Sequence, residues 1–343
     1  MTPSLTTPKQ ALPEQAKGYG NLESARNCET MDSMRPEQIA ELRRTKYNAT
    51  VARLVKVQSD LLIMRVRPDF KLQAHKPGQY AALGLGYWEP RFPGTAEEKL
   101  AEGEVTKLAR RSYSISCSVL DDDGQLLDRT NVDWLEFYIV LVRESDKPLP
   151  PALTPRLFLL REGDRLFLGE KIAGHFTLDP VKPDDTVLFL ATGTGEAPHN
   201  YMLWELLRRG HRGRILSACC VRYYRDLGYR AIHEELMLRY PHYTYLPLTT
   251  REAESKDHKV YIQDLITSGQ LEQRVGHALD PARTHVFLCG NPNMIGVPEK
   301  NRATGERHFP QPPGVIEILE RRGFQMDQPS AKLKGNLHYE EFW

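Results

Sequence analysis

The sequence predicts an antiparallel β-barrel followed by a doubly wound parallel α/β domain. Short strand patterns separated by turns run at regular spacing to about residue 182. The pattern changes at Asp184, and Val187–Ala191 is a continuous apolar run typical of a buried parallel strand. Strand and helix patterns then alternate towards the C-terminus, which favours a doubly wound sheet.

Composition limits the class of protein. The chain has 343 residues, enough for about two domains. Its net charge of +1 argues against a nucleic-acid-binding protein. No apolar run approaches the ~20 residues needed for a membrane span, and the first 20 residues lack the apolar core of a signal peptide. The five cysteines have no disulfide or metal-ligand spacing, so we expect a cytoplasmic protein without a metal site.

The first part of the chain divides into an extension and the barrel. Residues 1–47 are predicted to be an extension, flexible over 1–33 because polar residues dominate, with a short helix from Arg35 to Arg44. The barrel is predicted over residues 48–182, with a long charged loop at 87–108. Its strands are expected at Thr50–Val57, Leu61–Val66, Gln79–Leu85, Arg111–Ser116, Trp134–Val142 and Asp164–Leu168.

The α/β domain is predicted over residues 183–343. After Val187–Ala191, its strands are expected at Arg214–Val221, Thr244–Leu248, Thr284–Cys289 and Asn336–Trp343. Helices are expected after Pro198, through Glu234–Leu236, from Ile262 and over Val315–Arg322. The helix after Pro198 is predicted to bury the face formed by Met202, Leu203, Leu206 and Leu207.

The stretch Arg111–Ser116 carries the first candidate site. In a strand, Arg111, Tyr113 and Ile115 share one face, and Ser112, Ser114 and Ser116 share the other. Arginine pairs with phosphate, tyrosine stacks on a ring and serine bonds a ring heteroatom, so the stretch suits a flat, anionic ligand. The alternative is an edge strand with a solvated face.

A glycine-rich junction carries the second candidate site. Thr192, Gly193, Thr194 and Gly195 lie between a buried strand and a helix that opens with Glu196, Ala197 and Pro198. Glycines there allow the backbone to approach a pyrophosphate, and the helix N-terminus supplies amide donors. A tight turn without a ligand is the alternative.

The ends of the next two strands indicate which dinucleotide binds. Arg222 and Arg251 follow them and suit a 2′-phosphate, which favours NADPH over NADH; solvated arginines are the alternative. Asp226 is open to two interpretations, a ribose ligand that would favour NADH or the cap of the next helix.

Three further stretches are candidates. Cys289, Gly290, Asn291 and Met294 follow an apolar strand, and Cys289 has no activating His or Lys in its motif, which favours packing or positioning over nucleophilic chemistry. Gly174–Thr177 offers successive amides and a hydroxyl for phosphate oxygens, or is only a strand entry. The terminal Trp343 is either a core plug or a lid over a flat ring.

These motifs, in this order, resemble the ferredoxin–NADP reductases, in particular the bacterial ferredoxin/flavodoxin–NADP reductases that also end in Trp. The similarity runs from about residue 48 to the C-terminus and includes Leu135–Tyr138, Asp226–Tyr229 and Tyr339–Trp343. This chain departs from the pattern at Val260–Tyr261, where the relatives carry Gly-Arg and the Arg helps to hold the 2′-phosphate. Lys259 is the candidate substitute.

The resemblance implies an FAD-binding barrel and an NADP-binding α/β domain. Arg111 would pair with the FAD pyrophosphate, Tyr113 would stack on the isoalloxazine, and Ser114 would face flavin N5. Trp343 would cover the other flavin face. The residues implied to complete the FAD site are Ser112, Lys171, Gly174, His175, Phe176 and Thr177.

For NADP(H), the resemblance implies that Arg222 and Arg251 take the 2′-phosphate and that Thr194 and Cys289 border the nicotinamide. The other implied contacts are Thr192, Gly193, Gly195, Ala197, Pro198, Gly290, Asn291 and Met294. Glu340 matches an acidic residue near the flavin and is a candidate proton relay, with a surface carboxylate as the alternative. The implied catalytic residues are therefore Ser114, Cys289, Glu340 and Trp343.

The resemblance implies an enzyme that moves electrons between NADPH and ferredoxin or flavodoxin through a hydride transfer at flavin N5. An NADH-dependent reductase component of an oxygenase is the second hypothesis, and a cofactor-free binding protein on the same fold is the third. An acidic carrier requires a basic surface near the flavin, for which Arg43, Arg44, Lys46 and Arg110 are candidates.

Overall fold

The computed structural model describes residues 34–101, 103–144, 150–301, 303–327 and 334–341. The predicted flexible segment 1–33 and the predicted lid, Trp343, lie outside the described residues. Within the described ranges the chain forms a six-stranded antiparallel sheet and a five-stranded parallel sheet. The predicted fold class, a barrel followed by a doubly wound sheet, is confirmed.

Six strands form the antiparallel sheet: β1 Ala49–Gln58, β2 Leu61–Pro68, β3 Tyr80–Gly86, β4 Leu108–Ser114, β5 Leu135–Val140 and β6 Arg165–Leu168. Their order is β4-β3-β6-β1-β2-β5. The ends of this sheet meet just beyond β4, where the Ser116 amide donates to the Glu136 carbonyl at 2.8 Å. This bridge joins the two outermost strands and closes the sheet into a barrel.

The long segment between β3 and β4 packs on the barrel together with helix α1, Pro36–Lys46. Trp88 is 1% exposed and stacks on Tyr47. The buried Glu89 carboxylate accepts hydrogen bonds from Trp88 Nε1, Tyr47 Oη and the Arg43 guanidinium. Arg43 therefore fastens α1 to the barrel, and Trp88 packs in the core.

Five strands form the parallel sheet in the order β13-β10-β7-β8-β9: β7 Thr186–Thr192, β8 Ile215–Val221, β9 Tyr243–Thr249, β10 Thr284–Gly290 and β13 Leu337–Glu341. The remaining strands, β11 Glu299–Lys300 and β12 Arg307–His308, form a small hairpin within the 296–314 segment. Parallel pairing places the carboxyl ends of β7, β8, β9 and β10 at one edge of the sheet.

The other helices are α2 Thr154–Leu157, α3 Glu196–Arg208, α4 Arg230–Arg239, α5 Ile262–Thr267, α6 Gln270–Val275, α7 Pro292–Ile295 and α8 Val315–Glu320. The predicted apolar face of α3 is buried, but so is nearly all of the rest of the helix. Its Trp204 donates to Leu127 O in the barrel, while other α3 residues contact β7 and β10. The helix therefore lies between the two sheets, which explains its burial.

None of the helices in the described ranges has the length and apolar character that a membrane crossing requires. Four cysteines, Cys117, Cys219, Cys220 and Cys289, are buried with free thiols. The part of the chain that the structure describes also contains no group of three His, Cys, Asp or Glu side chains placed to hold a metal ion.

Candidate functional site

Strand β4 presents its candidate residues on two faces. Pairing with β3 places Arg111 opposite Leu83 and Ser112 opposite Ala82, so the predicted alternation holds along the strand. Arg111 is exposed; its Nη1 donates to the Arg110 carbonyl at 2.8 Å, and among the described residues its guanidinium makes no ion pair. Tyr113 is partly buried with its ring edge-on to Phe137, and this burial raises the pKa of its hydroxyl. The guanidinium is therefore available to an anion.

Ser112 lines a cavity of about 360 Å³ on the outer face of β3 and β4. Lys171 also lines it, and the Arg110 guanidinium stacks 4.2 Å from the centre of the Phe167 ring. Tyr80 completes the aromatic part of the wall. The cavity thus brings together two predicted residues, Ser112 and Lys171. It adds Arg110, Tyr80 and Phe167, which were not predicted as site residues. Only Arg110 had a sequence signal, because it shares a strand face with Ser112.

Ser114 and Glu340 meet at the end of β4. Ser114 Oγ donates to Glu340 Oε2 at 2.9 Å, across a separation of 226 residues. Both side chains are largely withdrawn from water, and desolvation raises the pKa of Glu340. Because Glu340 lies on β13, this hydrogen bond joins the barrel to the parallel sheet. It also gives the serine hydroxyl a protonatable partner, as a proton relay requires.

Gly174–Thr177 borders the barrel beside β3. Gly174 has φ +124° and its carbonyl accepts from Gln79 Nε2 at 3.2 Å. A side chain on Gly174 would begin 3.3 Å from the Tyr80 ring, so the close approach to β3 favours glycine. His175 is exposed, whereas Thr177 is buried and the Phe176 ring packs against His199 and Phe287. The Phe176 side chain anchors the loop in the core.

The glycine-rich turn packs directly on the end of β10. A Cβ added to Gly195 would lie 2.2 Å from Cys289 O, and one added to Gly290 would lie 2.2 Å from Thr192 Oγ1. The Asn291 amide donates to Thr192 Oγ1 at 2.7 Å. By contrast, a Cβ on Gly193 would meet nothing within 4 Å. The two predicted motifs therefore form one site, with glycine contacts inside and open space outside, as a cradle for a pyrophosphate requires.

Several predicted residues of these motifs are buried supports. Cys289 is 0% exposed, and burial raises the pKa of its thiol, with the neighbouring Glu340 adding to the effect. Such a thiol is a poor nucleophile, which agrees with a packing or positioning role. Ala197, Pro198 and Met294 are also buried, while Thr194 is half-buried and Asn291 is exposed.

Arg222 and Arg251 lie side by side at the carboxyl ends of β8 and β9. The Arg251 amide donates to the Arg222 carbonyl at 2.9 Å, and both side chains are exposed. Within the described ranges neither guanidinium forms an ion pair. The pair is therefore placed to bind an anion together. Lys259 and Tyr261, at the departure from the family pattern, are exposed before α5.

Asp226 is engaged in the fold. Its Oδ2 accepts from the Tyr223 amide at 3.1 Å, and its Oδ1 accepts from Gln58 Nε2 at 3.0 Å. Asp226 does not cap α4, which begins at Arg230 after Tyr229; its carboxylate instead closes the start of a 3-10 turn over Tyr224–Asp226. Among the basic candidates for a partner surface, Arg43 pairs with Glu89 and Arg44 pairs with Glu41.

Comparison with known proteins gives relatives for both sheets. A family model described as an oxidoreductase NAD-binding domain matches residues 189–300. A flavodoxin/ferredoxin–NADP reductase of Shigella flexneri is 31% identical over 224 residues, which is 63% of this chain and 81% of the relative. The protein of that name from Buchnera aphidicola is 34% identical over 202 residues, 56% of this chain and 76% of the relative.

Solved structures share the fold. A ferredoxin–NADP⁺ reductase from Neisseria gonorrhoeae with bound FAD and NADP has a TM-score of 0.60 at 20% identity, covering 86% of this chain and 98% of that one. An Amycolatopsis cytochrome P450 reductase has a TM-score of 0.54 at 22% identity, covering 86% and 69% respectively. At these identities the two similarities establish the arrangement of two sheets and nothing finer.

Proposed function

Because the chain belongs to the flavodoxin/ferredoxin–NADP reductase family, we propose that it transfers electrons between NADPH and ferredoxin or flavodoxin with FAD as its cofactor. The observation that carries this proposal is the Ser114–Glu340 hydrogen bond. It brings the barrel strand with the flavin motif to the edge of the parallel sheet that carries the pyrophosphate turn. A hydride donor bound at that edge then lies next to a flat ring bound on the barrel.

The flavin half of the site uses side chains of β4 and backbone of the Gly174–Thr177 loop. Tyr113 would stack on the isoalloxazine, and Arg111 would pair with the pyrophosphate. The cavity lined by Ser112 and Lys171 would accommodate another part of the FAD chain. When bound, FAD supplies the redox chemistry that links a two-electron hydride donor to a one-electron carrier.

The protein's part in the reaction is to align the nicotinamide with the flavin, to exclude water and to hold a proton. Ser114 would face the flavin ring; its one hydroxyl proton is donated to Glu340 Oε2, so its oxygen would accept a hydrogen bond from a ring N–H. Its raised pKa means that Glu340 keeps a proton at higher pH than an ordinary glutamate, which suits a proton relay. Trp343 follows Glu340 by three residues, and its role as a lid stays a prediction.

In the nucleotide half, the open turn at Gly193 would hold the pyrophosphate, and Arg222 and Arg251, whose backbones are hydrogen-bonded side by side, would take the 2′-phosphate. Both carboxylate oxygens of Asp226 accept hydrogen bonds from Tyr223 and Gln58 within the fold, which argues against a ribose ligand that would favour NADH. Both features support NADPH as the donor. The buried free thiols suit a reducing compartment, and we place the enzyme in the cytoplasm.

The test is an anaerobic titration of the purified protein with NADPH, recorded in the visible range. The expected result is a flavin spectrum that bleaches on addition of NADPH and recovers when oxidised ferredoxin or flavodoxin is added. A protein without flavin bands, even after FAD is supplied, would be a binding protein on this fold. A kcat/KM that strongly favours NADH over NADPH would instead identify the oxygenase-type reductase.

A further inference from the structure

Two motifs of the sequence have no part in the site so far. Leu135–Tyr138 forms most of β5 in the barrel, and Asp226–Tyr229 lies between β8 and α4 in the parallel domain. The structure places them against each other, although they are about 90 residues apart in the chain (Glu136 to Tyr229, 93 residues). We call their contact the interdomain clasp. It consists of Ser116, Glu136 and Tyr138 on the barrel side and Asp226, Gly228 and Tyr229 on the other.

Glu136 is the centre of the clasp. Its carboxylate is 0% exposed, and Oε2 accepts from Arg65 Nε at 2.9 Å and from Ser118 Oγ at 2.6 Å. Oε1 accepts from the Tyr229 hydroxyl at 3.0 Å. The Tyr229 oxygen also lies 3.0 Å from Ser116 Oγ. A buried polar group is tolerated when it is fully hydrogen-bonded, and here one of the partners comes from the other domain.

Tyr138 makes the second contact across the domains. Its hydroxyl donates to Asp226 O at 3.0 Å and accepts from the Gly228 amide at 2.8 Å. The Tyr138 and Tyr229 rings pack edge to face with centroids 5.0 Å apart. A Cβ on Gly228 would lie 2.9 Å from the Tyr138 hydroxyl, so the backbone approaches the ring as closely as it can. The clasp is directional, because hydrogen bonds fix both angle and distance.

Both sides of the clasp continue into the proposed site. Ser116 lies two residues beyond Ser114, and Asp226–Tyr229 follows Arg222 on the same segment. We infer that Glu136, Tyr138 and Tyr229 are positioning residues, which set the orientation of the nucleotide domain against the flavin barrel and so the alignment of nicotinamide and flavin. This inference rests on the proposed function. Hydride transfer is sensitive to displacements of about 1 Å, so small changes in the clasp alter its rate.

The test compares two substitutions of buried tyrosines. Tyr229→Phe removes the hydroxyl that bonds Glu136 and Ser116 across the domains. Tyr243→Phe removes a hydroxyl that bonds His233 Nδ1 at 2.8 Å within the parallel domain, so it is the matched control. Flavin reduction by saturating NADPH is followed by stopped flow on the FAD-loaded proteins, together with FAD content and the Kd for NADP⁺.

In Tyr229→Phe we expect the limiting rate of reduction to fall about tenfold, with FAD content and NADP⁺ affinity within about twofold of the parent protein. The long-wavelength charge-transfer absorbance of stacked nicotinamide and flavin should weaken in parallel. Tyr243→Phe should keep both the parental rate and this absorbance. An unchanged rate in Tyr229→Phe, or an equal fall in both variants, would overturn the inference. So would a loss explained entirely by weaker FAD or NADP⁺ binding.

Hydrogen exchange supplies a readout that does not depend on turnover. Tyr138→Phe should speed exchange of the 226–229 segment, since the Gly228 amide loses its acceptor, and should slow flavin reduction as well. Faster hydrogen exchange without slower flavin reduction would show that the clasp is only a structural contact. If the parent protein's flavin is not reduced by NADPH at all, the proposed function fails first, and the exchange result still reports whether the clasp joins the domains.

Discussion

The proposed nucleotide half and the proposed flavin half of the site are assembled differently. In the parallel sheet, Thr192, Arg222, Arg251 and Gly290 lie at or just beyond the ends of four strands, and parallel topology brings all of these ends to one edge. In the barrel, the candidate residues come from β4, from a loop about 60 residues later and from the last strand of the other sheet. The first half is built mainly of backbone and glycine, and the second mainly of side chains.

This difference indicates which kind of substitution harms each half. The nucleotide half depends on close backbone approach, such as Gly195 against Cys289 O, so an added methyl group is harmful there. The flavin half depends on a ring and a cation that a strand presents, so loss of a side chain is harmful there. The seam between the halves is packed by His199, whose ring stacks on Phe189 and contacts Phe176.

The largest effect is expected from Tyr113→Ala in the flavin half. Loss of a stacked, buried ring costs about 3 kcal/mol, or about a hundredfold in the FAD Kd. Fluorescence titration of the apoprotein with FAD measures this change. Tyr113→Phe keeps the ring and should bind FAD within a few-fold of the parent. Unchanged FAD retention in Tyr113→Ala would remove the stacking role.

A smaller effect is expected from Gly195→Ala in the nucleotide half. Gly195 has ordinary helical backbone angles, so the damage comes from the contact with Cys289 O and not from backbone strain. Overpacking of this kind costs about 2 kcal/mol, so the NADP⁺ Kd should rise about thirtyfold in isothermal titration. Gly210→Ala, just beyond the other end of α3, places a Cβ at φ +68° with nothing within 4 Å; it strains the backbone without a contact near the site and should leave the Kd unchanged. Equal affinities in both variants would contradict the close-approach account.

The seam packed by His199 should make the protein less stable at acidic pH. Burial lowers the pKa of His199 from 6.5 to about 3, and neither ring nitrogen has a hydrogen-bond partner among the described residues. In this pH range His199 binds a proton in the unfolded chain but not in the folded chain. The stability of the fold therefore falls as the pH drops from about 6.5 towards 3. His199→Phe should remove this loss. The free energy of unfolding of the variant, relative to that of the parent, should therefore be about 2 kcal/mol higher at pH 5 than at pH 8.

Urea unfolding of His199→Phe and of the parent at the two pH values measures this gain. His308→Phe, which alters a histidine in the exposed hairpin, is the matched control substitution. If the parent and His199→Phe lose stability equally on acidification, the seam histidine is not the acid-sensitive group.

The smallest effect is expected from Arg251→Ala, which removes one of two guanidiniums. One charge-assisted hydrogen bond to phosphate is worth about 1.5 kcal/mol, so the preference for NADPH over NADH in kcat/KM should fall about tenfold. Arg44→Ala, on α1 and paired with Glu41, should leave the preference unaltered. A preference that survives the loss of Arg251 would assign the 2′-phosphate to other groups, with Lys259 the first to examine.

The sequence by itself determined the two architectures, the strand pattern and both motifs of the nucleotide half. These are local signals, because a buried parallel strand is a continuous apolar run and a phosphate turn needs its glycines within a few residues. The alternation along Arg111–Ser116 was equally local and holds along β4, although the strand ends at Ser114 and begins earlier, at Leu108.

Only the tertiary structure decided which side chains meet. It joined Ser114 to Glu340 and Glu136 to Tyr229, placed Asp226 in a 3-10 turn before α4 and placed Trp88 in the core. These contacts connect distant parts of the chain, and each depends on where a side chain points once the barrel closes and the sheets pack. Periodicity fixes the face on which a residue lies, but the partner on that face is set by packing.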